Sequence, residues 1–152
     1  MRRADKEIAS IEEIESIIGR SQVCRLGLCM DNEPYVVPLC FGYIDGTVYI
    51  HCAREGTKLD IVRANNAVCV EFETDLELVQ AKEACGWGMR YCSVIGFGHA
   101  FIVDDIELKR KACDAIMQHY SSSQYNYKDE ALDQITIIKI EIDRMTGKRS
   151  GY

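Results

Sequence analysis

Val23-Cys24-Arg25-Leu26-Gly27-Leu28-Cys29-Met30 is followed by Asp31-Asn32-Glu33, and then by Pro34-Tyr35-Val36-Val37-Pro38-Leu39-Cys40-Phe41-Gly42-Tyr43. In the first run Cys24, Leu26, Leu28 and Met30 alternate with Val23, Arg25, Gly27 and Cys29. A period of two puts one set on each face of a strand. The triplet Asp31-Asn32-Glu33 has the composition of a turn. The second run therefore returns as a strand from Tyr35 to Tyr43, mostly apolar on both faces. Asp45-Gly46 signals a hairpin, and Val48 to Cys52 supplies a third strand. Connections this short force antiparallel pairing.

The flanks extend this pattern. Ser10 stands three residues before Glu13, a capping box, and Ile8, Ile11, Ile14, Ile17 and Ile18 recur at helical spacing. A helix from about Ile11 to Ile18 is expected, with Gly19 as its stop. A short helix ends at Asn65-Asn66. Val68, Val70 and Phe72 then alternate with Cys69 and Glu71 in a fourth strand. Tyr91 to Val103 is long and apolar, and Gly96 and Gly98 break it as a bulge or bend would. Asp104-Asp105 opens a helix through about Tyr120, with Ala112, Ile116 and Met117 inward. Ile135 to Ile142 is a last strand. The tally is about six strands and three helices. So many short strands hide their edges best in a barrel. The expected fold is mainly β (α+β): an antiparallel β-barrel with peripheral helices. With two prolines and no linker or repeat, residues 1–152 read as a single domain.

Composition excludes several function classes. Hydrophobic residues make up 47% of the 152, enough to bury a core, so intrinsic disorder is excluded. No run approaches the roughly 18 apolar residues of a membrane helix. Net charge is 18 − 24 = −6, the wrong sign for phosphate backbones or anionic membranes. No nucleic-acid and no membrane partner is expected. There are eight cysteines, but Met1-Arg2-Arg3-Ala4-Asp5-Lys6-Glu7 has no apolar stretch behind it and does not read as a signal peptide. The cysteines are expected to be reduced, cytoplasmic and mostly buried, with Cys40, Cys69 and Cys92 in or near the core. Neither C-x-x-C nor H-E-x-x-H occurs, so no metal site is expected.

Two segments can carry chemistry. In His51-Cys52-Ala53-Arg54-Glu55-Gly56-Thr57-Lys58-Leu59 a strand ends, a glycine turns the chain and a helix begins. A helix start offers unpaired N–H groups and a positive dipole end. Thr57 adds a hydroxyl, and Lys58 adds a full charge that opposes the dipole. A bound phosphate resolves that conflict. The plainer reading makes Thr57 an N-cap and Lys58 a solvated side chain. The stretch is not a Walker loop, because position 51 is His where glycine is needed, and Gly96-Phe97-Gly98 lacks the third glycine of a dinucleotide fingerprint. The second segment is Cys85-Gly86-Trp87-Gly88-Met89-Arg90-Tyr91-Cys92-Ser93-Val94. Its tryptophan sits between glycines and can cover a planar ligand or plug one end of the barrel. His119, near the end of the long helix, reads as surface.

Met1-Arg2-Arg3-Ala4-Asp5-Lys6-Glu7-Ile8, Pro34-Tyr35-Val36-Val37-Pro38-Leu39 with Phe41-Gly42-Tyr43, Tyr49-Ile50-His51-Cys52-Ala53 with Glu55-Gly56 and Lys58, Ser93-Val94-Ile95-Gly96 with Gly98, and Thr146-Gly147-Lys148 form an ordered series. Together they resemble the pyridoxamine 5′-phosphate oxidase-like FMN-binding proteins, and within them the 5-nitroimidazole antibiotic resistance branch. The resemblance implies a split β-barrel homodimer with FMN at the subunit interface. It implies that Thr57 and Lys58 grip the FMN phosphate. Val37, Pro38, Leu39 and Cys40 would run beside the isoalloxazine, with His51, Cys52 and Ala53 near the ribityl chain and ring. Trp87, Tyr91, Ser93 and Val94 would approach the flavin from the other subunit. The oxidase proper carries Arg-Lys where this chain has Thr57-Lys58, and its substrate-phosphate residues have no counterpart near the C-terminus. The resemblance therefore implies a flavin-dependent oxidoreductase acting on nitro-aromatic compounds rather than on pyridoxamine phosphate. His51 is its candidate catalytic residue, unless it is a structural histidine hydrogen-bonded inside the barrel. Two rivals stand beside this: a protein that binds FMN or heme without turnover, and a thiol-based redox sensor.

Overall fold

The computed structural model describes residues 4–152. Met1, Arg2 and Arg3 of the opening motif lie outside the described residues. The chain enters through a short strand, β1 (Glu7–Ile8), and helix α1 (Ile11–Arg20). Ser10 Oγ accepts from Glu13 N at 3.3 Å, the expected cap. The helix runs through Gly19 and ends at Ser21, whose backbone is extended. Gly19 is therefore not its stop.

Strands β2 (Cys24–Met30) and β3 (Glu33–Leu39) follow, then β4 (Gly42–Ile44) and β5 (Thr47–Cys52). Asp31 and Asn32 take φ of 52° and 65°, and Asp45 and Gly46 take 47° and 77°. Paired left-handed residues match the twist of a hairpin, so both turn signals are realised. The run from Tyr35 to Tyr43 is two strands, because the chain leaves the β2 ladder at Cys40 and re-pairs with β5 from Gly42.

Helix α2 (Thr57–Ala64) leads to β6 (Ala67–Val79), β7 (Gly88–Val103), α3 (Ile106–Tyr120), α4 (Asp129–Asp133) and β8 (Thr136–Ser150). Eight strands and four α-helices thus replace the expected six and three among the described residues. The strand order is β3-β2-β6-β7-β8-β5-β4, with β1 also on β8, and every pairing is antiparallel. The sheet curls as a split barrel, but its ladder does not close: β3 and β4 are its edges.

Alternation sets the interior. Leu26, Val70, Phe72, Val94, Ile138 and Ile140 pack with Ile17 and Ile18 of α1 and Leu59 of α2. On the other side of β5, Tyr49 packs with Ala112, Ala115 and Ile116 of α3. Covered on both faces, Val48-Tyr49-Ile50 is buried throughout. His119 is no plain surface residue. Its Nε2 lies 2.7 Å from the Ser21 carbonyl oxygen and its ring stacks on Phe41 at 4.3 Å.

The outer face of the sheet is unusual. Val36, Gly27, Cys69, Phe97 and Arg144 lie in one register row across β3, β2, β6, β7 and β8. Val36 is 64% exposed, Phe97 and Phe101 are exposed on the same face three strands away, and Arg144 lies over the Phe97 ring at 4.0 Å.

Candidate functional site

Helix α2 begins where β5 runs out. Its N-cap is Gly56, at φ 138° and ψ 160°, with no side-chain cap. That φ suits a residue without Cβ. The Gly56 carbonyl accepts from Leu59 N at 2.9 Å and Asp60 N at 3.3 Å. Thr57 is thus the first helical residue, which corrects its reading as the N-cap. The first-turn donors are left without a capping side chain, and the dipole adds partial positive charge there. The space beside Gly56 is open.

Lys58 is half-buried at this corner. Burial raises the pKa of the Cys52 thiol, and the nearby Lys58 charge opposes the rise. The end of β5 and the first turn of α2 therefore share one electrostatic environment. Cys52 faces the core, whereas His51 and Ala53 are exposed. His51 makes no side-chain hydrogen bond among the described residues, so it is not a structural histidine held inside the barrel.

Val37, Pro38, Leu39 and Cys40 lie along an edge, since β3 pairs with β2 alone. Val37 and Leu39 pack against the core, and Pro38 and Cys40 are exposed. Proline is tolerated here because an edge strand need not donate on its open side. Cys40 is therefore not a core residue; Cys69 is intermediate and Cys92 buried. All eight cysteines are free.

The β7 group lies elsewhere. Leu39, Cys24, Phe72 and Val94 form a register row through β3, β2, β6 and β7. Three strand spacings of about 4.8 Å each separate Val94 from Leu39. Val94 is fully buried on the inner face, while Tyr91 and Ser93 are half-exposed. Trp87 is 49% exposed and does not plug the barrel. It stands on a projecting arm formed by the ends of β6 and β7, beyond a register shift between Thr74 and Glu77. Leu76, Leu78 and Met89 of the arm are exposed too, with Leu78 directly opposite Met89.

Two pairs escaped the sequence reading. Lys148 Nζ donates to Tyr91 Oη at 2.5 Å. His99 Nδ1 lies 3.0 Å from Asp143 Oδ2 at a bulge in β8. Both join residues more than 40 positions apart in sequence, so only the strand register could have shown them. Among the described residues, no group of three or more His, Cys, Asp or Glu side chains can hold a metal ion.

Comparisons with known proteins place this geometry. Residues 10–149 match the model of a family described as pyridoxamine 5′-phosphate oxidase. The chain belongs to the pyridoxamine 5′-phosphate oxidase family. The match runs from the cap of α1 into the end of β8, so the α2 corner, the β3 edge and the β7 segment all lie within it. Among solved structures, the chain is similar to a candidate 5-nitroimidazole antibiotic resistance protein from Bacteroides thetaiotaomicron. That likeness has 38% identity and a TM-score of 0.84, over 94% of this chain and 86% of the other. A flavocytochrome from Azotobacter vinelandii shares the fold at 17% identity and TM-score 0.86, over 100% and 72% of the two chains. So does an FAD-binding protein from Mesorhizobium loti, at 23% identity and TM-score 0.67 over 93% and 96%. An uncharacterised Rhizobium meliloti protein is 28% identical over 65 residues, 43% of this chain and 42% of its own length. The matched stretch thus spans less than half of that curated relative.

Proposed function

We propose that this member of the family is an FMN-dependent oxidoreductase that works as a cytoplasmic homodimer and reduces nitro-aromatic compounds such as 5-nitroimidazoles. The observation that carries the reading is the α2 corner: a helix start capped only by glycine, open above, with a half-buried lysine in its first turn. Those features fit an anionic cofactor tail.

Each residue then has a task. Thr57 and Lys58 hold the phosphate by hydroxyl and ammonium, with the helix N–H groups as further donors. Val37, Pro38, Leu39 and Cys40 border the ring along an edge that has no ladder partner on its open side. His51, Cys52 and Ala53 line the ribityl side, with exposed His51 as proton donor or substrate ligand. Trp87, Tyr91, Ser93 and Val94 belong to the segment that covers the flavin of the partner subunit. When bound, FMN supplies the electron transfer; the protein binds, orients and excludes water. The apolar outer face and the arm support a dimer, because exposed patches of this kind are normally covered. The 38% identity to a candidate 5-nitroimidazole resistance protein supports the acceptor class. Among the described residues no helix is long and apolar enough to cross a membrane.

The absorbance spectrum of freshly purified protein tests the reading. Expected are flavin bands, release of FMN on denaturation, and a 10- to 100-fold weaker FMN affinity in Lys58→Ala, about what one charge-assisted contact contributes. Colourless protein that takes up no added FMN overturns the proposal. A heme Soret band without flavin favours the rival binder.

A further inference from the structure

Lys148 and Tyr91 form a pair for which neither the fold nor the phosphate corner has a use. Tyr91 stands opposite Ser150 and Lys148 opposite Ser93 in the β7–β8 ladder, so the two are diagonal neighbours. Gly147 beside Lys148 is buried against Ile8 and Ile14, and alternation therefore turns Lys148 to the outer face. Its ammonium donates to Tyr91 Oη at 2.5 Å. A lysine has no lone pair to give, so the phenolic hydrogen must point elsewhere. Among the described residues it has no acceptor. The result is a half-buried O–H donor, fixed in place by a cation and free to reach a bound molecule.

We propose that Tyr91 is the proton donor to the acceptor substrate, and that Lys148 is its positioning residue. This rests on the flavin reading, in which the Trp87–Val94 segment covers the cofactor of the partner subunit. It assigns proton delivery to Tyr91 and leaves His51 the role of substrate ligand. For a nitro acceptor the first step balances as R–NO2 + H− + H+ → R–NO + H2O. The nitro nitrogen gains the electron pair of a hydride equivalent from reduced flavin, which is oxidised. The Oη–H bond of Tyr91 breaks as the proton passes to a nitro oxygen; the hydrogen taken up at nitrogen then passes to the same oxygen as a proton, and that N–O bond breaks as water leaves. Lys148 stabilises the oxygen left on Tyr91 by charge at hydrogen-bond distance. Solvent returns the proton. An external two-electron donor, dithionite in the test, reduces the flavin again.

The test is anaerobic stopped-flow mixing of dithionite-reduced holoprotein with 2-methyl-5-nitroimidazole, in H2O and D2O. Tyr91→Phe is expected to reoxidise about 100-fold more slowly per flavin bound and to lose the solvent isotope effect, with a melting temperature as in wild type. Lys148→Met is expected to slow the same step, and Lys148→Arg to restore most of it. A second readout needs no turnover. In oxidised protein labelled with 13C at tyrosine Cζ, the resonance absent from Tyr91→Phe shifts when the nitroimidazole is added. Wild-type reoxidation in Tyr91→Phe, or an unmoved resonance, overturns this proposal alone. Protein that binds no flavin overturns the cofactor reading and this proposal with it.

Discussion

Cys24, Cys52, Cys92 and Cys113 are buried, whereas Cys40 and Cys85 are exposed. Burial pushes the Cys24 thiol up to about 12 and raises the other three buried thiols. Protonated thiols are poor nucleophiles. Iodoacetamide at neutral pH should therefore label Cys40 and Cys85 first, and the buried four only after denaturant. Peptide mass spectrometry reads the order, and rapid native labelling of Cys24 would contradict it. The same groups set alkaline behaviour. The ordinary thiol value is 9.0, so above it the unfolded chain loses a proton that folded Cys24 keeps until about 12. Tyr43 and Tyr120, also pushed up to about 12, act in the same direction. Stability present below pH 9 is therefore lost as pH rises toward 12. Melting temperature should fall over that window, less steeply in Cys24→Ala. At this scale the sequence was half legible. Reduced cysteines were expected, but a run of nine mostly apolar residues does not show that the chain leaves its ladder at Cys40.

The bulge in β8 belongs to the scale of elements. Gly96 and Gly98 pointed to a break in their own strand, but β7 runs through them unbroken, and the extra residue is Asp143 on β8, opposite the step from Phe97 to Gly98. A Cβ on Gly98 would collide with the Glu141 carbonyl oxygen. Gly98→Ala should destabilise the protein by about 3 kcal/mol or more, because the obstacle is backbone and cannot swing away. A urea titration measures it, and a loss under about 1 kcal/mol would mean the strands can part cheaply. The length of β8 was not legible. Asp143-Arg144-Met145-Thr146-Gly147-Lys148-Arg149-Ser150 reads as a charged tail, yet it pairs with β7 almost to its end. Its side chains find partners across the chain: Arg149 pairs with Glu13, and Ser150 Oγ accepts from Lys6 Nζ. Local composition cannot show such long-range pairings.

Across the whole molecule, the outer face of the sheet is the surface on which the proposed dimer would form. Phe97, Phe101 and Val36 expose apolar side chains on one surface, the kind of surface that a partner covers. Light scattering should give twice the 17.2 kDa chain mass. On the proposed reading, in which each flavin site draws on both subunits, Phe97→Glu should yield monomer and lose flavin together. Monomeric wild-type protein that still binds flavin would remove the shared-site arrangement.

Periodicity and turn chemistry alone determined the antiparallel pairing, both hairpin turns, the N-caps of α1 and α3, and the glycine-to-helix corner with Lys58. Each depends on residues within a few positions of one another, where backbone preference acts directly. Only the tertiary structure decided the open ladder, the uncovered outer face, and the meeting of Tyr91 with Lys148 and of His99 with Asp143. Those follow from strand register, and register is set by the summed burial of side chains far apart in the chain.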